Sequence, residues 1–350
     1  MNKLIFMRIT TFAGISFLCA ISLTACRSNT TYKIPTRENS LVERTADPTE
    51  QAEFEQNYRD FANSCKINLL SSEETQILPV LSGYQSFLTL LAGSEGDTYN
   101  QVAQVLQTNA PDEYSLVQGF NGLIRTQNIE KSPQEKTPTQ VGSSFWMIWP
   151  ILVEPPFAEE MAARIRTDVV RLGSTGITAQ NAIQNWLDQF LPQTVARKPG
   201  LTRENPIINL GVTQITASFE LKATTNSDGT TWQGDSADGL LTFSANSSGK
   251  TSSQQTPMKN EQITSKVDFT ELIRAAKSDQ LITGPNDFRN MSIDLIPQAD
   301  PAGVAQMFHS ATIHLSISGS NPFAQSTTFT FEIKDKKTRL PLILGKVSKN

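Results

Sequence analysis

Histidine is almost absent from the 350-residue chain, which contains only His309 and His314. Five positions apart, these side chains would face opposite sides of a strand and would not meet on a helix, so they do not form a metal-binding pair. A Ser-His-Asp triad finds no support either, because no Gly-x-Ser-x-Gly elbow is present. We therefore predict no catalytic residue, no metal site and no cofactor, and we do not expect an enzyme.

Clustered positive charge is missing as well. The formal net charge is −4, from 30 basic and 34 acidic residues, and the sequence has no block of Lys and Arg. Recognition of a phosphate backbone needs such clusters. We therefore expect no nucleic acid among the partners.

Cysteine is scarce, since Cys19 and Cys26 lie near the N-terminus and only Cys65 remains in the body of the chain. A single cysteine cannot build an intrachain disulfide framework. Cys65 falls in a predicted helix, where a small core residue is more common than a catalytic nucleophile. Trp146 and Trp149 are likewise expected to fill a core rather than to form a ligand platform.

Residues 1–25 have the pattern of a secretory signal peptide. Lys3 and Arg8 precede an apolar run over residues 9–23. This run is shorter than a typical transmembrane helix, and a basic start followed by a short apolar stretch indicates an exported protein.

The end of the run, Leu23-Thr24-Ala25-Cys26, resembles the bacterial lipobox. In lipoproteins of that class the cysteine is acylated, with palmitate among the chains, and becomes the first residue of the mature protein. Acyl chains contribute about 0.8 kcal/mol per buried methylene, so several of them anchor a protein stably. We predict that Cys26 anchors an extracytoplasmic protein to a bacterial membrane. That membrane is the outer one in a Gram-negative host, because no Asp follows the cysteine. The alternative is an ordinary signal peptide with a chance cysteine.

The remaining chain divides into a tether and one domain. Residues 26–50 are polar and lack periodicity, as is typical of a flexible tether. Residues 51–350 are predicted to be one domain, in which helical patterns come first and strand patterns later. Thr98 is predicted to cap one of these helices. This order indicates an α+β fold with N-terminal helices followed by antiparallel or mixed β-sheets. The clearest helical patterns cover residues 50–69, 77–91 and 178–191, and the clearest strand patterns cover residues 141–149, 206–221, 239–245 and 256–262.

Two strongly alternating runs lie near the C-terminus, before and after the stretch ISGSNPFAQS. Period-2 alternation of apolar and polar residues predicts half-buried strands. Between the runs, Gly319, Ser320, Asn321 and Pro322 provide turn-forming residues. The alternating apolar positions are Ala311, Ile313, Leu315 and Ile317 in the first run and Phe329, Phe331 and Ile333 in the second.

Five stretches, in collinear order over about residues 51–350, resemble the serpin family. They are GDTYNQVAQVL, AQNAIQNWL, the hairpin-like LTFSANSSGKTSSQQTPM, the strand-like DFRNMSIDLIP, and FTFEIKDKKTRLPLILGKV. The stretch HSATIHLSISGS also resembles the serpin strand that leads into the reactive loop. The resemblance implies a serpin-like fold.

The sequence departs from the family in two places. Between Pro297 and His309 the family would have further helices and strands, so we predict that part of its core is deleted. After Ser320 a serpin would continue into a hinge of small residues and a bait peptide bond, whereas this chain runs directly into NPFAQSTTF. Gly319, Ser320, Asn321 and Pro322 are therefore interpreted as a remnant of the reactive-loop region.

The missing loop determines the predicted function. A serpin inhibits by inserting its cleaved loop into the main sheet as a new strand. Without that loop, we predict a non-inhibitory binding or structural scaffold at the cell envelope. Its expected partners are the membrane, through Cys26, and a protease or another envelope protein.

Two alternatives remain open, namely an inhibitor that blocks a protease through residues 128–140 or 246–256, and a small-ligand carrier. We also predict that the strand at residues 311–317 forms a hairpin beside the C-terminal strands, because so short a link is expected to join neighbouring strand ends.

Overall fold

The computed structural model describes residues 46–70, 74–108, 113–127, 137–148, 151–173, 177–190, 207–248, 256–292 and 303–349. The predicted signal peptide, Cys26 and the tether up to residue 45 lie outside this part of the chain. None of the described helices is long and apolar enough to cross a lipid bilayer.

The helices are concentrated in the first half of the chain. The first begins with a capping box, in which the Asp47 side chain accepts from backbone amides and Glu50 caps Asp47 in return. Every residue of the second helix is buried, so it forms the centre of the molecule. The helices are α1 (Pro48–Leu69), α2 (Val80–Gly93), α3 (Gly96–Val105), α4 (Glu113–Thr126), α5 (Pro155–Glu160), α6 (Ile177–Leu187), α7 (Thr270–Ala275) and α8 (Gln280–Thr283).

The strands alternate with the helices at first and then dominate the second half. A π-helical turn, Met161–Ile165, joins α5 to the third strand. The strands are β1 (Gln76–Leu78), β2 (Thr139–Ile148), β3 (Thr167–Leu172), β4 (Ile207–Asn226), β5 (Gly229–Asp235), β6 (Leu241–Ser247), β7 (Thr256–Asp268), β8 (Val304–Gly319), β9 (Phe329–Asp335) and β10 (Pro341–Val347).

These strands form two sheets that share β4. The main sheet has the order β3-β2-β4-β8-β7, and the C-terminal sheet has the order β5-β6-β9-β10-β1. The 20-residue β4 belongs to both, because its first part pairs with β2 and β8 and its last residues, Lys222–Asn226, pair with β5. The predicted α+β class, with a large mixed sheet, is confirmed.

The core is divided by the main sheet. On one face α1 and α2 contribute an aromatic cluster with ring centroids 4.8–5.9 Å apart, and the buried Cys65 lies on the same helix as three of its members. On the other face α6 covers a smaller core that includes Trp146 and Trp186. Both Cys65 and Trp146 are thus core residues, as predicted. The aromatic cluster consists of Phe54, Tyr58, Phe61, Tyr84 and Phe87.

Two local predictions about the helices are wrong. Thr98 is not an N-cap, because α3 begins at Gly96 after Glu95, and Thr98 lies buried in the first turn. Its hydroxyl accepts a hydrogen bond from the Asp287 amide instead. Ile77 belongs to β1 rather than to the stripe of α2, because Pro79 separates the strand from the helix.

One predicted strand arrangement also differs from the structure. The stretches containing β6 and β7 do not form a hairpin, since β6 pairs with β5 and β9 while β7 pairs with β8. Alternation predicts a strand but carries no information about its partner, and this explains the error. Of the strand-like stretch DFRNMSIDLIP, the structure describes residues 287–292, which are irregular, and the rest of that predicted strand lies outside the described residues.

The strand at 311–317 has not left the main sheet. It is part of β8, which lies between β4, to which it is parallel, and β7, to which it is antiparallel. The predicted hairpin with the C-terminal strands is therefore wrong. The apolar face of β8, including Ala311 and Ile313, is fully buried in the core beneath the main sheet. Residues 320–328 cross from the main sheet to β9 in the C-terminal sheet.

Candidate functional site

The segment between β8 and β9, residues 320–328, is called the connection below. It starts directly after Gly319, whose φ of +79° lies in the left-handed region. A Cβ atom on Gly319 would lie 2.4 Å from the Leu221 carbonyl oxygen, so a larger residue does not fit. The amide of Ser320 donates to the same carbonyl oxygen, 2.9 Å away.

Ser320 and Asn321 bind different strands. The hydroxyl of Ser320 accepts a hydrogen bond of 3.2 Å from the indole N–H of Trp232 on β5. The side-chain amide of Asn321 donates to the Glu261 carboxylate on β7, 3.1 Å away. Both residues are buried, at 4% and 0% exposure.

The next residues fix the connection to the C-terminal sheet. The Asn321 side chain caps a 3-10 turn, Pro322–Ala324, by accepting from the Phe323 amide. The buried Phe323 ring lies 5.1 Å from the ring of Phe329, in an edge-to-face contact. Its carbonyl accepts from the ammonium group of Lys349. The four predicted remnant residues, Gly319 to Pro322, are thus brought together, but as a packed segment and not as an exposed loop.

A buried polar layer lies between α2 and the main sheet. His309 on β8 makes hydrogen bonds of 2.9 Å to Ser82 on α2 and of 2.8 Å to the Asn209 oxygen on β4. Asn209 in turn donates to the Ser143 hydroxyl and to the Ser144 carbonyl on β2. Because the Asn209 oxygen is an acceptor, Nε2 of His309 carries the proton and Nδ1 accepts from Ser82. The layer therefore joins three adjacent strands to the central helix.

His309 is a structural residue. Burial lowers its pKa to about 3, so the ring is neutral near pH 7. The ring fills a space that Gly211 leaves, because a Cβ there would lie 2.0 Å from Nδ1. His314 is partly exposed on the opposite face of β8, so the predicted separation of the two histidines is confirmed. Among the described residues, no group of three or more His, Cys, Asp or Glu side chains could hold a metal ion.

Cys65 has no features of a nucleophile. It is completely buried in α1, and burial raises the pKa of its thiol well above the usual value. A thiolate therefore does not form near neutral pH.

The polar layer was missed by the sequence reasoning. Its members are neutral side chains whose partners come from distant parts of the chain, and no motif spacing connects them. One signal was present, because Ser82, Ser86 and Thr89 form a polar stripe within the largely apolar α2, which also contains the buried Gln85. A buried polar stripe must find hydrogen-bond partners, so it predicts a polar contact surface even where the partners are unknown.

Sequence comparison and structure comparison give different results. No family sequence model and no curated protein sequence matches the chain. Among solved structures, the thermophilic serpin tengpin in its native state matches with a TM-score of 0.68 and 13% identity, over 89% of this chain and 97% of that chain.

Two further serpin structures match to a similar extent. Human thyroxine-binding globulin complexed with thyroxine has a TM-score of 0.65 and 13% identity, over 86% of this chain and 98% of its own. The mouse protein-Z dependent protease inhibitor has a TM-score of 0.66 and 12% identity, over 86% and 97%. The deletion predicted between Pro297 and His309 is not shown by these matches and stays a prediction. Their extent, together with the order of helices and the mixed main sheet, shows that the chain has the serpin fold.

Proposed function

We propose that this protein is a non-inhibitory scaffold with the serpin fold, anchored by lipid at the cell envelope, where it binds or organises another envelope protein. The fold itself occurs both in a protease inhibitor and in a thyroxine-binding protein. The choice between these roles therefore depends on the site. The observation that carries the proposal is the buried, hydrogen-bonded state of residues 320–323, the first part of the connection.

An inhibitor of this fold needs a free segment that presents a bait bond and then enters the main sheet. A strand of about ten residues covers roughly 33 Å, which is the length that such a segment has to supply. Here the chain is bonded from Ser320 onward and buried through Phe323. Pro322 also lacks the N–H that a strand inside a sheet must donate. This leaves only residues 324–328, five residues that are too short to supply a strand of that length.

The anchor is supported by the sequence alone. Leu23-Thr24-Ala25-Cys26 follows an apolar run and precedes a polar tether. The capping box at Asp47 and Glu50 starts the first described helix, and this supports a domain that begins near the predicted residue 51. A tether of this length lets the domain reach partners close to the membrane surface.

The test is a search for covalent protease complexes. The purified protein is incubated with a panel of serine and cysteine proteases, beside an inhibitory serpin as positive control, and run on denaturing gels. We expect no detergent-resistant complex and no loss of protease activity. A covalent band would overturn the proposal.

Two other outcomes would favour the alternatives. Reversible inhibition without a covalent band would indicate blocking by another surface. The segments considered for that role, residues 128–140 and 246–256, lie largely outside the described residues. A small molecule of constant mass that stays bound in native mass spectrometry would indicate a carrier.

A further inference from the structure

The connection contacts both sides of the boundary between β4 and β8, here called the seam. We propose that residues 319–323 act as a clamp that closes the main sheet to an added strand from any source, including a peptide from another molecule. This inference rests on the proposed non-inhibitory function, in which the connection takes the position of the missing reactive loop. It goes further because the lack of a loop prevents the protein only from donating a strand, whereas the clamp prevents it from accepting one.

The seam is a parallel ladder with one irregularity, between Ile207 and Ile208. It pairs Ile207 with Val304 at one end and Leu221 with Gly319 at the other. A strand added between β4 and β8 would increase their separation from about 4.8 Å to about twice that value. Every hydrogen bond along the seam would have to exchange its partner for the new strand.

Gly319 and Ser320 close the end of the seam at which the connection begins. The missing Cβ of Gly319 allows the backbone to lie against the Leu221 carbonyl, and the Ser320 amide donates to that carbonyl oxygen. This bond continues the ladder one residue beyond β8. A peptide entering from this end would first have to displace it.

Two consecutive residues then hold opposite sides of the seam. Ser320 is bonded to Trp232 on β5, and β5 pairs antiparallel with the last residues of β4. Asn321 is bonded to Glu261 on β7, which lies beyond β8. Separation of β4 from β8 would pull these bonds in opposite directions across a single peptide bond. At least one buried polar group would lose its partner.

The rest of the clamp prevents the connection from following either side. Phe323 is packed among Phe243, Phe329 and Phe331 of the C-terminal sheet. Its carbonyl is bonded to Lys349 near the C-terminus. The clamp is therefore fixed at its start, on both flanks and at its last residue, Phe323.

The experiment offers the main sheet a strand. The probe is a synthetic, acetylated peptide of about twelve Ala, Ser and Thr residues, long enough to span the sheet. Uptake of the peptide is measured in two ways. One is the peptide-dependent shift in thermal midpoint, and the other is the change in Trp fluorescence, since Trp232 contacts the clamp. For the wild-type protein we expect no shift and no fluorescence change.

A variant with a released clamp provides the comparison. It carries a flexible Gly-Ser insert of about eight residues between Ser320 and Asn321, so that the two bonds no longer oppose each other. We expect it to take up the peptide, with a rise in thermal midpoint of about 5 °C or more at saturating peptide. The matched control carries the same insert between Ser227 and Asp228, in the exposed turn that joins β4 to β5, and should behave as the wild type does.

Peptide uptake by the wild-type protein would overturn the clamp, and so would a released variant that refuses the peptide. Neither result involves a protease, so the proposed function would stand. A covalent protease complex, by contrast, would overturn the proposed function whatever the peptide does.

If the insert prevents folding, the double variant Ser320→Ala, Asn321→Ala removes both side-chain bonds at constant length. Amide exchange near Gly319 in β8 should then accelerate at least tenfold relative to β2. Unchanged protection would refute the clamp.

Discussion

At the scale of single residues, two neighbouring tyrosines show how much a buried hydroxyl depends on its partner. The rings of Tyr58 and Tyr84 lie 4.8 Å apart, and both side chains are fully buried. The Tyr58 hydroxyl donates to the Pro341 carbonyl at 2.9 Å, whereas the Tyr84 hydroxyl has no hydrogen-bond partner within the described part of the chain. The same chemical group therefore stabilises the fold at one position and not at the other.

Removing each hydroxyl should have opposite effects. Tyr58→Phe should lower the free energy of unfolding by about 1–2 kcal/mol, because it leaves a buried carbonyl unpaired. Tyr84→Phe should be neutral or stabilising by up to about 1 kcal/mol, because no bond is lost. Denaturant unfolding of the two variants measures the difference. Equal losses would show that Tyr84 is hydrogen-bonded after all.

Gly319 and Gly239 allow backbone conformation to be separated from steric overlap. Their φ values are +79° and +75°, but a Cβ on Gly319 meets the Leu221 carbonyl while a Cβ on Gly239 meets nothing within 4 Å. Gly239→Ala should cost about 1 kcal/mol for the left-handed backbone alone. Gly319→Ala should cost more, up to about 3 kcal/mol, because the carbonyl must also move. Thermal or denaturant unfolding tests this, and equal costs would mean that the close approach is easily relieved.

His309 should make stability depend on pH. Its folded pKa of about 3 lies below the usual value near 6.5, so the unfolded chain binds a proton that the folded protein excludes. The part of the free energy of unfolding that depends on neutral His309 is complete above about pH 6.5. It falls as the pH decreases towards 3, by at most about 1.4 kcal/mol per pH unit. Other titratable groups also make the free energy of unfolding depend on pH. The measurement therefore compares the free energies of unfolding of the wild type and of His309→Gln from pH 7 to pH 4. Identical slopes would contradict the prediction.

At the scale of secondary structure, α6 is an element whose buried face the sequence predicted correctly. Trp186 lies on its buried face at 5% exposure, with its ring 5.0 Å from that of Phe190 and its indole N–H donating to Asp168 on β3. Trp186→Ala should lower the free energy of unfolding by on the order of 3–5 kcal/mol. Trp186→Phe, which keeps a ring and loses the hydrogen bond, should cost less. An unchanged thermal midpoint in the alanine variant would mean that α6 does not pack on the main sheet.

Strand existence could be predicted from the sequence, whereas strand neighbours could not. Ala311, Ile313 and Leu315 alternate with polar residues, and this alone placed a half-buried strand correctly. The partner of that strand was misassigned because the short connection was assumed to need adjacent strand ends. In the structure residues 320–328 instead cross between the two sheets.

The candidate site was predicted in part. Turn-forming residues identified Gly319 to Pro322 as a segment of unusual structure. The bonds of Ser320 to Trp232 and of Asn321 to Glu261 could not be foreseen, because they join positions 88 and 60 residues apart. Neutral side chains at such separations leave no periodic or motif signal.

At the scale of the whole molecule, the proposed membrane anchor depends on one atom, the sulfur of Cys26. Cys26→Ser should abolish lipidation and move the protein from the membrane fraction to the soluble extracytoplasmic fraction, because the hydroxyl cannot replace the thiol in the acylation. Cys19→Ser, a change of the same kind seven residues earlier in the predicted signal peptide, should leave the distribution unchanged. Fractionation after detergent-free lysis decides the matter. If wild type and Cys26→Ser fractionate alike, the protein is not anchored through this cysteine.

The sharing of β4 by two sheets has a mechanical consequence. Its backbone runs without interruption from the pairing with β2 and β8 to the pairing with β5. A displacement imposed at the Asn226 end can therefore be transmitted along covalent bonds to Ile207, without passing through the packing of any side chain. We expect the two sheets to respond to load as one body, so that a force applied to either is borne by both.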